Sequence, residues 1–224
     1  MKKYFSIEIA IVIFSAVFAI TYMNNDVTIF KVLASFFFCY LGFEGFLMLK
    51  TFGPVNSFSN QIMLGLIFGF LGDIFIEFNF VIGAIFFAIG HIFYIVALCS
   101  KLKFKRKDLI LIIPLAIFSV ILINVLPFII FNNILTRIVC SFYGVIIAIM
   151  VAKAILNAFC ERTKENVILA IGSVLFFISD FVLLINTFSE YKIASLCLLT
   201  YYSAQLLIAF SLSMYCLTNF KTKK

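Results

Sequence analysis

Read for apolar and polar positions alone, the chain alternates between long hydrophobic runs and short polar breaks. Eight runs stand out, at about residues 4–23, 29–49, 61–78, 80–100, 108–126, 132–156, 166–188 and 192–217. Each is close to the roughly 20 residues a helix needs to cross the hydrocarbon core. They are too long for strands of a membrane barrel, and no period-2 alternation runs through them. The breaks carry turn formers: Asn24-Asn25-Asp26, Gly53-Pro54 with Asn56 and Asn60, a lone Asn79, then Pro127 and Asn132-Asn133. Pro114 falls inside the fifth run, where it predicts a kink of the kind membrane helices tolerate. The first run follows Lys2 and Lys3, is longer than the apolar region of a signal peptide and precedes no clear A-x-A cleavage site, so it is read as a retained span. The pattern predicts an all-α integral membrane protein, a single domain over 1–224 built as an eight-helix bundle.

Composition removes the competing classes. Of 224 residues 65% are hydrophobic and only 12% charged, against roughly 25% charged in an ordinary soluble domain. Too few polar residues remain to cover a water-soluble surface, which excludes a soluble enzyme, a nucleic-acid-binding domain and a disordered chain. The net charge of +7 has another reading. With the N-terminus placed on the cytoplasmic side, 14 of the 17 basic residues fall in cytoplasmic elements, leaving Lys31, Arg137 and Lys192 across the membrane. An even number of spans returns the basic C-terminus to that same side, so both termini are expected to be cytoplasmic, in what is most simply a bacterial cytoplasmic membrane.

The two halves share a pattern. Gly65 and Asp73 in the third run bracket seven residues, as Gly172 and Asp180 do in the seventh, and Tyr94 matches Tyr201 at the same offset of 107 residues. A 4+4 parallel repeat about an axis along the membrane normal would produce this.

Ionisable groups inside spans are costly enough that each needs a reason. Glu8, Glu44 and Lys153 lie toward the cytoplasmic ends, where snorkelling is a sufficient one. Lys31, Asp73, Glu77, Arg137 and Asp180 fall in the opposite half, with Asp73 and Asp180 roughly 9 and 12 Å below that surface at 1.5 Å of rise per residue. His91, Tyr143, Tyr201, Tyr202 and Gln205 can join them. Gly65, Gly69 and Asp73 recur every four residues and share a helix face of small residues that suits close packing. Two interpretations fit: ion pairs of Asp73 and Asp180 with Lys31 and Arg137 that only hold helices together, or a functional polar cavity. Six scattered cysteines and one histidine form no metal-binding spacing, so neither a metal nor a cofactor is expected.

The same residues resemble the YhhN family of multi-spanning membrane proteins, which includes lysoplasmalogenases. The matching positions are Gly65-Leu66 through Gly72-Asp73, then Gly83, Phe86, His91 and Tyr94. Tyr143, Met150, Gly172, Phe176, Ser179-Asp180 and Asn186 follow, and Tyr201-Tyr202-Ser203-Ala204-Gln205 completes the set over roughly residues 28–212. Two positions depart from the family pattern. Lys31 is followed by Val32 where the family usually has Lys-Pro, and Gly69 stands where it often has Ser.

The resemblance implies hydrolysis of the vinyl ether bond of a lysoplasmalogen, with a lysophospholipid and membrane lipid as partners and no nucleic acid. Such a reaction needs a proton delivered to the double-bond carbon and an anion to steady the cation that results. Two buried carboxylates can divide those tasks, one carrying the proton and the other the charge. Asp73 and Asp180 are the expected catalytic pair. Supporting positions for water and proton are His91, Tyr94, Tyr201, Tyr202, Gln205, Glu77, Ser179 and Asn186, and Lys31 and Arg137 are expected at the substrate phosphate. The alternative is a small transporter or lipid-binding protein without catalysis.

Overall fold

The structure, a computed structural model, describes residues 2–220, with side chains from residue 5 onward. The side chains of Lys2 and Lys3, and Lys221, Lys223 and Lys224, which carry part of the orientation argument, lie outside the described residues. Eight helices form the described chain: α1 (Lys2–Asn25), α2 (Thr28–Phe52), α3 (Ser57–Ile76), α4 (Phe80–Lys101), α5 (Leu109–Val125), α6 (Ile134–Cys160), α7 (Lys164–Phe188) and α8 (Ala194–Phe220), with one 3₁₀ turn at Arg106–Asp108. All eight are long and apolar enough to cross a membrane. The protein is thus a multi-pass helical membrane protein.

The polar breaks act as helix caps. Asn56 accepts a hydrogen bond from the Ser59 amide while the Ser59 hydroxyl answers the Asn56 amide, a reciprocal cap at the start of α3. Asn79 accepts from the amides of Val81 and Ile82, and Asn133 from that of Thr136, at the starts of α4 and α6. Asp26 takes a left-handed φ of 52° in the sharp turn from α1 to α2, a conformation Asp tolerates better than most residues. α3 begins four residues earlier than the apolar run suggests, because the polar stretch Ser57–Gln61 is its capped first turn rather than loop. α5 runs as a single helix through Pro114.

Packing follows the repeat. α1 packs on α2 and α5 on α6; α3 pairs with α4 and α7 with α8; α2 contacts α3 as α6 contacts α7; and α2 meets α8 as α6 meets α4. Exchanging each helix with the one four later maps these contacts onto one another. The exchange fails at two places: α1 and α3 both touch α8, whereas α5 and α7 make no comparable contact with α4.

Two of the charges expected to snorkel are buried instead. Lys153 is 3% exposed and pairs at 3.0 Å with Asp108, which the 3₁₀ turn carries back into the bundle. Glu8 is 6% exposed and accepts a hydrogen bond from Ser213 of α8. Both stay inside because a partner is within reach, and a paired charge need not seek water.

Candidate active site

Asp73 and Asp180 sit in the half of the bundle opposite the chain termini, and each meets two helices of the other elements. Asp73 of α3 is 2% exposed. Its Oδ2 accepts hydrogen bonds from Ser35 of α2 at 2.6 Å and Tyr201 of α8 at 2.5 Å. Tyr201 in turn lies 3.3 Å from the Gln205 Nε2, which donates to it, and Gln205 Oε1 accepts from Tyr94 at 2.9 Å. Every donor in this chain points the same way, from Tyr94 through Gln205 and Tyr201 to Asp73. A chain of donors needs an acceptor at its end, and a carboxylate taking two hydroxyls supplies one.

The glycine face of α3 makes the chain possible. A Cβ at Gly69 would sit 2.5 Å from Gln205 Nε2, and one at Gly65 would overlap the Tyr94 ring. The small residues therefore seat two polar side chains as well as letting α4 approach, where Gly90 comes against the Gly65 carbonyl. At the family's serine position, Gly69 here gives its space to Gln205.

Asp180 of α7 has a different environment. It accepts a hydrogen bond from Tyr143 of α6, and His91 of α4 places Nε2 3.9 Å from the same oxygen. His91 Nδ1 lies 2.7 Å from the Phe87 carbonyl, which only accepts, so Nδ1 carries the hydrogen and Nε2 presents a lone pair. The imidazole is 1% exposed, and Nε2 has no hydrogen-bond partner among the described residues. Phe176 packs its ring against both His91 and Tyr201, at 4.5 and 5.4 Å, and so stands between the two polar systems. No hydrogen bond joins the two carboxylates among the described residues.

Two adjoining cavities reach this region. The first is an apolar slot of about 60 Å³, with Asp180 and Tyr143 in a wall otherwise formed by side chains such as Ala84, Phe87, Ile123 and Phe181. The second is a vestibule of about 630 Å³ at the bundle's far end with a mixed wall, its charged and polar side chains including Lys31, Glu77, Asn186 and Asp26 and its apolar ones Met23 and Leu198. Ile76, Phe80 and Leu183 line both, so the two meet. Asp73 lines neither.

The sequence-predicted residues divide accordingly. Lys31 is paired with Glu77 at 2.6 Å, not with Asp73, because Glu77 lies one turn beyond Asp73 and nearer the surface. Tyr202 donates to the Lys31 carbonyl at 3.2 Å. Arg137 does not reach Asp180 or either cavity; its Nε donates to Asn124 at 2.7 Å and ties α6 to α5. Ser179 donates to the Cys197 carbonyl at 3.1 Å, holding α7 to α8 rather than facing the acid. Asn186 accepts from the Ile193 amide at 2.6 Å and orders the α7–α8 loop at the vestibule rim. Ser35 was not among the candidates. Its place one turn after Lys31, on the same face of α2, is the signal that finds it.

Fold and site together define a multi-pass helical membrane protein with two separately partnered carboxylates, Asp73 buried and Asp180 partly exposed on a cavity wall. The model of the YhhN family matches residues 27–212, most of the chain, and the protein belongs to that family. No curated protein and no solved structure matches the chain.

Proposed function

We propose that the protein hydrolyses the vinyl ether bond of lysoplasmalogens, releasing a fatty aldehyde and a glycerophospho-ethanolamine or -choline. The reading rests on Asp180: a half-buried acid on the wall of an apolar slot, held by one donor, near a bare imidazole nitrogen, and close to a vestibule that contains Lys31. Family membership supports the same chemistry.

In this reading Asp180 is the proton donor. Tyr143 fixes its carboxyl group, and His91 Nε2, 3.9 Å away and without a hydrogen-bond partner of its own among the described residues, can accept from a water placed between them. The proton passes to the double-bond carbon remote from oxygen, leaving an oxocarbenium ion. Water adds to the carbon bearing the oxygen and gives up a proton to the Asp180 carboxylate. The hemiacetal then collapses, its hydroxyl proton passing to the departing glycerol oxygen, and aldehyde is released. Asp73, kept as the acceptor of the Tyr94–Gln205–Tyr201 chain, supplies fixed negative charge near the developing cation. Lys31 takes the lipid phosphate in exchange for Glu77 or alongside it.

The two-fold packing pattern favours a second reading, a small transporter. Purified protein incubated with an alkenyl lysophospholipid, scored for free aldehyde, separates the two. Wild type is expected to release aldehyde and Asp180→Asn to release none while still folded. Equal release by Asp180→Asn, or none from wild type, would overturn the hydrolase reading.

A further inference from the structure

The break in two-fold packing lies beside the slot. α1 packs on both α2 and α8, while its counterpart α5 packs on α6 and makes no comparable contact with α4. Ala84 and Phe87 line the slot from the α4 side of this seam, and Ser119, Leu122 and Ile123 from the α5 side. Above, the slot is roofed: the Ile130 amide donates to the Phe188 carbonyl at 2.8 Å, and the rings of Phe131 and Phe80 pack on Phe188 at 4.8 and 5.0 Å. Both helices carry bare isoleucines on faces away from the slot, with Ile85 and Ile92 of α4 at 47% and 45% exposure and Ile117 and Ile121 of α5 at 54% and 50%. Such a surface belongs against lipid.

We propose that the α4–α5 seam is a lateral portal through which the tail of a single-chain phospholipid runs from the slot into the bilayer, its head group seated in the vestibule. The proposal rests on the hydrolase reading for its single-chain substrate class and adds the route. A slot of about 60 Å³ has room for a short segment of one alkyl chain, the number a lysoplasmalogen carries. A chain longer than that segment must leave the slot. The roof closes one way out, the head group occupies the vestibule on the other side, and the seam leads to lipid. A lipid placed so has its charged end beside Lys31 and its first carbons at Ile76, Phe80 and Leu183, where the two cavities meet next to Asp180. That is where a vinyl ether, the bond between head group and tail, would lie.

The test uses the full protein in nanodiscs and a saturated single-chain ether phosphocholine with a photoactivatable diazirine at the tail end, a probe that has no vinyl ether to cleave. After irradiation, adducts are mapped by mass spectrometry. The expected result is labelling concentrated on the rim residues of α4 and α5, competed by unlabelled single-chain ether lipid and at least tenfold less by the two-chain lipid of equal chain length. Ala84→Phe and, from the other wall, Leu122→Trp fill the slot, and each is expected to cut seam labelling tenfold or more while thermal unfolding is unchanged. Labelling spread evenly around the lipid belt, equal competition by the two-chain lipid, or full seam labelling in a folded slot-filling variant would each overturn the portal. Because the probe is inert, failure to release aldehyde from a true vinyl ether sinks the hydrolase reading without changing this result.

Discussion

Tyr201→Phe separates a working Asp73 from a merely structural one. The substitution keeps the ring, which packs against Phe38, Phe87 and Phe176, and removes only the hydroxyl. Asp73 Oδ2 then keeps one of its two donors, Ser35, and Gln205 Nε2 loses its acceptor. A hydrogen bond to a charged group is worth about 1.5–3 kcal/mol, and an amide hydrogen left buried and unpaired costs about 1–3 kcal/mol more. If Asp73 must be an anion when the oxocarbenium ion forms, the first quantity appears in the barrier, and kcat falls about 10- to 100-fold. The second appears in stability, read as a lowered Tm. Aldehyde release measured in single turnover isolates the chemical step from product exit. Ser35→Ala removes the other donor to the same oxygen, so the double variant should lose less than the product of the two single losses, as coupled neighbours do. A Tyr201→Phe protein with kcat within twofold of wild type, but a lowered Tm, would refute the electrostatic role and leave Asp73 as the organiser of a hydrogen-bond chain.

Three further outcomes follow from the geometry. Lys31→Ala should raise KM more than it lowers kcat, because a group that only holds phosphate contributes equally to ground and transition states; Arg137→Gln, outside both cavities, should change neither by more than about twofold. Gly69→Ala should displace the Gln205 amide and lower stability by about 1–3 kcal/mol, read as Tm in detergent, and Gln205→Ala in the same chain should relieve part of that loss by making room. Lys153→Met should lower Tm in detergent by removing the one cation paired with Asp108, which among the described residues keeps only the Lys105 amide as donor, and adding Asp108→Leu should recover part of the loss.

How much of this the sequence discloses depends on the range of the interaction. The helices are local features: an apolar run of the right length bounded by Asn56, Asn79 or Asn133 leaves little choice, and the observed ends differ from the expected ones by a few residues. The depth of Asp73 and Asp180 follows from counting residues to the nearest turn. Partnership does not, because it depends on rotations between helices. The apolar pattern offers Lys31 to Asp73 or Glu77 equally, and only the placement of α2 against α3 selects Glu77. Lys153 looked free to snorkel because Asp108, at the very start of the fifth run beside the basic loop, gives no local signal that a 3₁₀ turn folds it inward.

The same limit explains why two matching motifs yield two unlike acids. Gly65 to Asp73 and Gly172 to Asp180 are the same pattern, and the helices around them exchange nearly as a two-fold would require. Asp73 takes its donors from α2 and α8; Asp180 faces the exchanged helices, α6 and α4. The positions are thus equivalent, and what differs is the side chain that each neighbour brings. On the α8 side Asp73 receives the hydroxyl of Tyr201, backed by an amide and a second tyrosine, which satisfies a charge. On the α4 side Asp180 has instead an imidazole nitrogen 3.9 Å away that no hydrogen bond engages among the described residues. Where α1 and α3 close against α8, α5 and α7 stand off from α4, and the slot occupies the opening on the Asp180 side alone. A near-symmetric scaffold with one such break leaves one acid on a cavity wall and one away from it, and in the proposed reading only the first meets lipid. Restoring the missing contact by filling the slot at Ala84 should therefore silence the accessible acid while leaving the hydrogen-bond chain at Asp73 intact.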